Sequence, residues 1–173
     1  MANANTPFGF SQSKGLGASP TYEQVVCRIS SANNVPVYSG DAVSYVTPAN
    51  GYIQQAVAGT APIAGIFNGC KYTSVSQKKT VWSSYWPGSD AIGDVEAYVI
   101  NDPNAQFIVQ AGGQAIDRTK IGQNVQLNPG TGNPFTGRSG MYVENPAATA
   151  TLPFRIQGIV TNPPGANGTD PTS

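Results

Sequence analysis

Twenty glycines and fourteen prolines, about one residue in five, punctuate a chain of 173 residues. Glycine and proline break helices and mark turns, so such spacing favours short strands over long helices. The segments between them agree. Gln24–Ser30 is β-branched and ends at Asn33-Asn34, and Val35–Tyr38, Ala42–Val46 and Tyr52–Val57 follow. Ile63–Phe67 and Cys70–Val75 flank Asn68-Gly69, a dipeptide suited to a type I′ turn, which predicts a hairpin there. Thr80–Ser83 is a further short strand, closed by Trp86-Pro-Gly-Ser89. Asp94–Ile100 and Ala105–Gln110 flank Asn101-Asp-Pro-Asn104, which predicts a second hairpin. Asn124–Leu127, Gly140–Val143 and Phe154–Val160 complete the set, and 112–121 has room for a helical turn or two. About ten to twelve short strands at this turn spacing predict an all-β fold, a sandwich or a barrel.

Three regions follow from the pattern. Residues 1–24 lack apolar periodicity and read as an extended N-terminal arm, residues 25–161 as the β domain, and residues 162–173 as a flexible Pro/Gly-rich tail. The arm carries three apolar anchors, Phe8, Phe10 and Leu16, which a purely solvated segment would not need. They are candidate contacts to another protein surface, against the plainer reading of a frayed terminus.

Charge excludes several functions. Nine basic residues balance nine acidic ones, and a nucleic-acid binder needs a basic surface to displace counterions. No apolar run approaches the ~20 residues that span a bilayer, and the first residues lack a signal peptide's basic and apolar regions. Neither a nucleic-acid nor a membrane partner is therefore expected. The chain has no histidine, the commonest general base and neutral metal ligand. Cys27 and Cys70 form no CxxC pair; one disulfide and two buried thiols both remain open.

Candidate chemistry is sparse. Asp90, Asp94, Glu96, Asp102 and Asp117 fall in the segment 80–117, which contains no basic residue. Asp90, Asp94 and Glu96 could supply oxygens to a calcium ion, but the DxDxDG spacing is absent and solvated strand ends account for them as well. Ser139 lacks the GxSxG elbow, and no phosphate-binding glycine motif occurs. The expectation is a non-enzyme without cofactor. The densest aromatic patch is Trp82, Tyr85 and Trp86, suited to a protein interface, an apical turn or a sugar site. Alternatively Trp82 lies in the core and Trp86 covers one end of the domain.

Gln106–Gln110, Ile121–Leu127, Thr136–Met141 and Leu152–Val160, with Ala61–Tyr72 and Val99–Phe107 upstream, resemble segments of the decoration, or cement, proteins of tailed bacteriophages. The runs cover residues 60–160 and carry no catalytic signature. The resemblance implies a β-barrel or jelly-roll-like domain on the outer capsid surface of a virion, made in the host cytoplasm. It also implies binding to the major capsid protein and to copies of itself, as a dimer or trimer at symmetry axes. On that reading Phe8, Phe10 and Leu16 meet the shell or a neighbour. A carbohydrate-binding or host-adhesion module on the virion surface is the alternative.

Overall fold

The computed structural model describes residues 6–48, 51–59, 62–113 and 116–160. The predicted tail 162–173 and the first five residues of the predicted arm lie outside the described residues. The fold is an all-β sandwich with eleven strands among the described residues: β1 (Ser11–Lys14), β2 (Gln24–Ile29), β3 (Ala42–Tyr45), β4 (Ile53–Gln55), β5 (Gly65–Thr73), β6 (Thr80–Ser83), β7 (Val95–Ile100), β8 (Gln106–Ile108), β9 (Asn124–Asn128), β10 (Tyr142–Ala147) and β11 (Phe154–Arg155). A 3-10 turn at Arg118–Lys120, capped by the Asp117 carboxylate, sits within the segment where a helical turn or two was expected. No helix among the described residues is long and apolar enough to cross a membrane.

The large sheet runs β2-β7-β5-β3-β4, with β6 alongside the second half of β5. Its ends meet at one bridge, Arg28 to Tyr52. One bridge is not a ladder, so the sheet curls without closing, and the barrel alternative is not realised. Alternation along the strands sends Cys27, Ile29, Val43, Phe67, Cys70, Val95, Ala97 and Val99 to the concave face. There they form the first core with Val37, Tyr72 and Trp86. The opposite face is covered only at one end. There Ala42, Ile66 and Ile100 pack with Phe10, Val125, Leu127, Met141 and Val143 of the smaller elements into a second core. Those elements are a three-stranded sheet, β10-β9-β11, and the β1-β8 pair.

Two predicted hairpins are absent. Asn68-Gly69 lies inside the nine-residue strand β5, where the register against β7 shifts between Phe67 and Gly69. The dipeptide makes a bulge, and Gly69 takes the positive φ of +147° that the bulge requires. Asn101–Asn104 does turn, with the Asp102 carboxylate accepting from the Asn104 amide at 2.8 Å. The strands on either side separate, however: β7 stays in the large sheet and β8 pairs with β1.

The arm is built into the domain as well. Gly9 and Phe10 thread between Gly40 and Met141, donating to their carbonyls at 3.2 Å (Gly9 to Met141) and 2.9 Å (Phe10 to Gly40). Gly9 has φ +78°, and a Cβ there would collide with Ser139. Phe10 is buried in the second core, stacked on Phe154 at 4.5 Å and edge-on to Phe107 at 6.2 Å. After β1 the chain loops out and is pinned again: buried Gln12 accepts from the Tyr22 amide at 3.0 Å, and Thr21 donates to Asp102 at 3.3 Å.

Candidate docking surface

The part of the large sheet's outer face left uncovered by the smaller sheet carries one organised side-chain array. Cross-strand pairing aligns Trp82, Lys71, Glu96 and Arg28 across β6, β5, β7 and β2. A neighbouring row holds Gly69, Tyr98 and Val26. Trp82 leans across this row towards Tyr98. The two rings stack at 5.8 Å between centroids and 4° between planes. Lys71 Nζ lies 5.3 Å from the centre of the Trp82 ring and 3.2 Å from Glu96 Oε2. Both charged side chains are partly exposed, so the ion pair contributes little to stability, ~0–1 kcal/mol. Its structural effect is to hold Lys71 beside the indole. Trp82 is 68% exposed yet fixed in position.

Beside the stacked rings is an open cleft of about 490 Å³, lined by Trp82, Tyr98, Gln24, Asn68, Ser83 and Ser84. Ser84 also touches the turn Asn133–Arg138, since a Cβ on Gly137 would collide with the Ser84 hydroxyl. That turn is rigid: Asn133 Oδ1 accepts from the amides of Phe135 at 2.9 Å and Thr136 at 3.3 Å. The Gly137 amide donates to the Asn133 carbonyl at 2.8 Å. Phe135 stands at its tip, 97% exposed. An exposed aromatic ring carried on a hydrogen-bonded turn is the feature that a complementary pocket on a partner would bury.

The predicted site residues divide accordingly. Trp82 is exposed, against the alternative that put it in the core, and Trp86 is fully buried. Trp86 cannot be an interface residue: its indole donates to the Asn33 carbonyl at 3.2 Å and meets Tyr72 edge-on at 5.2 Å, and its backbone bridges to Val37. Tyr85 is half-buried and stacks on Tyr38 at 5.4 Å. Phe10, a predicted contact, is likewise lost to the core. Phe8 is half-buried in a broad groove of about 1050 Å³, which Lys14, Phe107, Ile156 and Val160 also line. Leu16 alone of the three keeps its predicted availability, 83% exposed on the pinned loop.

The acidic residues do not converge. Asp90 accepts from the Ser74 hydroxyl at 2.7 Å and the Ser76 amide at 3.0 Å, bonds that hold its carboxyl below the usual range. Asp94 accepts from the Tyr52 hydroxyl at 2.9 Å, and Glu96 pairs with Lys71. No group of three or more acidic or cysteine side chains among the described residues could hold a metal ion. Cys27 and Cys70 are free thiols inside the first core, which settles the pairing left open by the sequence. Sequence reasoning missed Phe135 and Tyr98. An apolar residue inside the turn-forming run Asn133-Pro-Phe-Thr-Gly137 was the available signal for the former.

No family model matches the chain, and neither a curated protein nor a solved structure matches it. What the structure defines is the fold class, an all-β sandwich with an organised aromatic face.

Proposed function

We propose that this chain is a structural virion protein that decorates and cements the exterior of a tailed-bacteriophage capsid, binding major capsid subunits at symmetry axes without catalysis. The observation that carries the reading is the exposed but immobilised Trp82–Tyr98 stack beside the Phe135 turn. Trp and Tyr dominate the energetics of protein interfaces, and rings already fixed lose little entropy on docking. A repeating shell multiplies such contacts, so each can be weak while the cage is held firmly. Binding the expanded shell alone would stabilise that state by mass action. On this reading the resemblance points to the partner, and the exposed aromatic face is what would meet it.

The test is co-sedimentation with expanded heads of the encoding virus, prepared without this chain. Wild-type protein should saturate the heads at a fixed copy number. Trp82→Ala and Phe135→Ala should each weaken binding by about thirtyfold, the ≥2 kcal/mol of an interface hot spot. Wild-type protein that stays in the supernatant at every concentration would end the proposal.

The cleft favours one second reading. The polar residues Gln24, Asn68 and Ser84 line the cleft beside the Trp82 ring, the composition of a site that stacks and hydrogen-bonds a sugar. Glycan-array binding abolished by Trp82→Ala, with head binding intact, would favour a carbohydrate-binding or host-adhesion module.

A further inference from the structure

The edge strand β2 carries neighbouring exposed valines, one on each face of the large sheet. Along Gln24–Cys27 it ladders with β7 on one side, and among the described residues no strand pairs with its other side before the Arg28–Tyr52 bridge. The consequence shows on both faces. Val25 points to the concave face opposite fully buried Val99, yet is 41% exposed. Val26 points to the outer face opposite Tyr98 and is 64% exposed. Beyond the bridge the cover returns, and Ile29 is fully buried. Exposure of Val25 and Val26 on opposite faces, beside an unpaired edge, is the mark of a missing neighbouring strand rather than of a missing flat partner. Two of the usual protections are missing: Gln24–Cys27 contains no proline and no charge.

We propose that this edge pairs with the same edge of a second copy of the chain, β2 against β2, antiparallel about a twofold axis. The charges fit a self-pairing. Glu23 precedes the uncharged stretch and Arg28 ends it, so antiparallel alignment brings the acidic end of each strand to the basic end of the other. A twofold axis normal to the sheet keeps the two outer faces on one side, and directly opposed side chains must share a face. The residue on the axis therefore faces its own copy. With Val26 there, Val25 lies opposite Cys27 of the second copy, and the pairing ends short of the Arg28–Tyr52 bridge. The outer-face row Trp82–Tyr98–Val26 then continues without a break into Val26–Tyr98–Trp82 of the second copy. The pairing selects a dimer over a trimer. It stands independently of capsid binding, since both partners are the same chain and no head is needed to see it.

A four-residue edge buries less than the ~800 Å² per partner of an ordinary stable interface, so the free dimer is weak. Sedimentation velocity between about 10 μM and 1 mM, a range that captures weak complexes, should show a concentration-dependent monomer–dimer equilibrium. Val26→Lys, on a side chain already exposed, should keep the wild-type circular dichroism spectrum and raise the dissociation constant at least about tenfold. Val26→Cys should crosslink into a covalent dimer on mild oxidation, while the wild type, whose two thiols are buried, should not. A species that stays monomeric to about 1 mM, a trimer, a dimer indifferent to Val26→Lys, or a Val26→Cys protein that fails to crosslink would each overturn the pairing. None of these outcomes bears on whether wild-type protein binds heads, so the two proposals fail separately.

Discussion

Asp41 lies where the two cores meet, between Gly40, which receives the N-terminal segment, and Ala42 of β3. Its carboxylate is fully buried. Oδ2 accepts from the Tyr38 amide at 2.8 Å and from Gln55 Nε2 at 2.9 Å, whereas Oδ1 has no hydrogen-bond partner. Burial raises the carboxyl above its ordinary value; the neighbouring Ser139 hydroxyl, the Tyr38 amide and Gln55 oppose this without cancelling it. The Ser139 hydroxyl is thus near enough to matter but does not complete a bond to Oδ1. A carboxyl whose pKa is higher in the folded state makes the folded protein bind more protons than the unfolded chain. Its contribution to stability is full below the unfolded value, near 3.8, and is lost as pH rises through the folded pKa. The slope for one proton cannot exceed about 1.4 kcal/mol per pH unit. For a domain of this size that limits the fall in melting temperature to about 3–5 °C per pH unit. The absence of histidine removes the usual competing titration between pH 5 and 8. Asp90 and Asp117, both shifted downward, lose their contributions only as pH falls below the ordinary carboxylate value, so they stay outside the window. Asp41→Asn keeps an oxygen for both donors and removes the titration. Thermal melts from about pH 4 upward should therefore fall for the wild type and run flat for the variant. A flat or rising wild-type profile, or an Asp41→Asn profile with the wild-type slope, would refute the argument.

Two further expectations separate core from surface. Phe10→Ala should cost about 3–5 kcal/mol in chemical denaturation, whereas Leu16→Ala should change stability by no more than about 0.5 kcal/mol. Equal effects would contradict the assignment of Phe10 to the core. Burial raises the Cys27 thiol and pushes Cys70 up to about 12, so neither should react with a thiol reagent at neutral pH until the protein is denatured. Rapid labelling of native protein would show that the first core opens.

What was legible in the sequence was the local part of the fold. The strand Thr80–Ser83 appears with the predicted bounds because four residues with a β-branched pair need no distant partner to be recognised. Asn68-Gly69 was misread because turns and bulges exploit the same permissive backbone. Only the pairing of β5 with β7 on both sides of it distinguishes the two. Phe10 and Leu16 look alike in sequence, each beside glycine, and their fates diverge because β1 pairs with β8, some ninety positions away. Trp82 and Trp86 were interchangeable for a related reason. The large ring in the turn is the buried one because Val37 and Asn33 close over it, and neither lies near it in sequence.

The position of the N-terminal segment also changes how an assembly role can be probed. An arm that reached a neighbour could be deleted without harm to the domain. Here deletion of residues 2–20 would remove Phe10, the Gly9 and Phe10 bonds to Met141 and Gly40, and the whole of β1. The second core would lose an aromatic ring stacked on Phe154 and the strand that pairs with β8. Loss of head binding in such a truncation would report unfolding rather than a missing contact. Point substitutions at Leu16, Trp82 and Phe135, each exposed on a pinned loop, strand or turn, leave both cores intact. If binding depends on Trp82 and Phe135 while Leu16→Ala is neutral, adhesion belongs to the sheet face. If Leu16 alone matters, the pinned loop is what remains of the predicted arm's role.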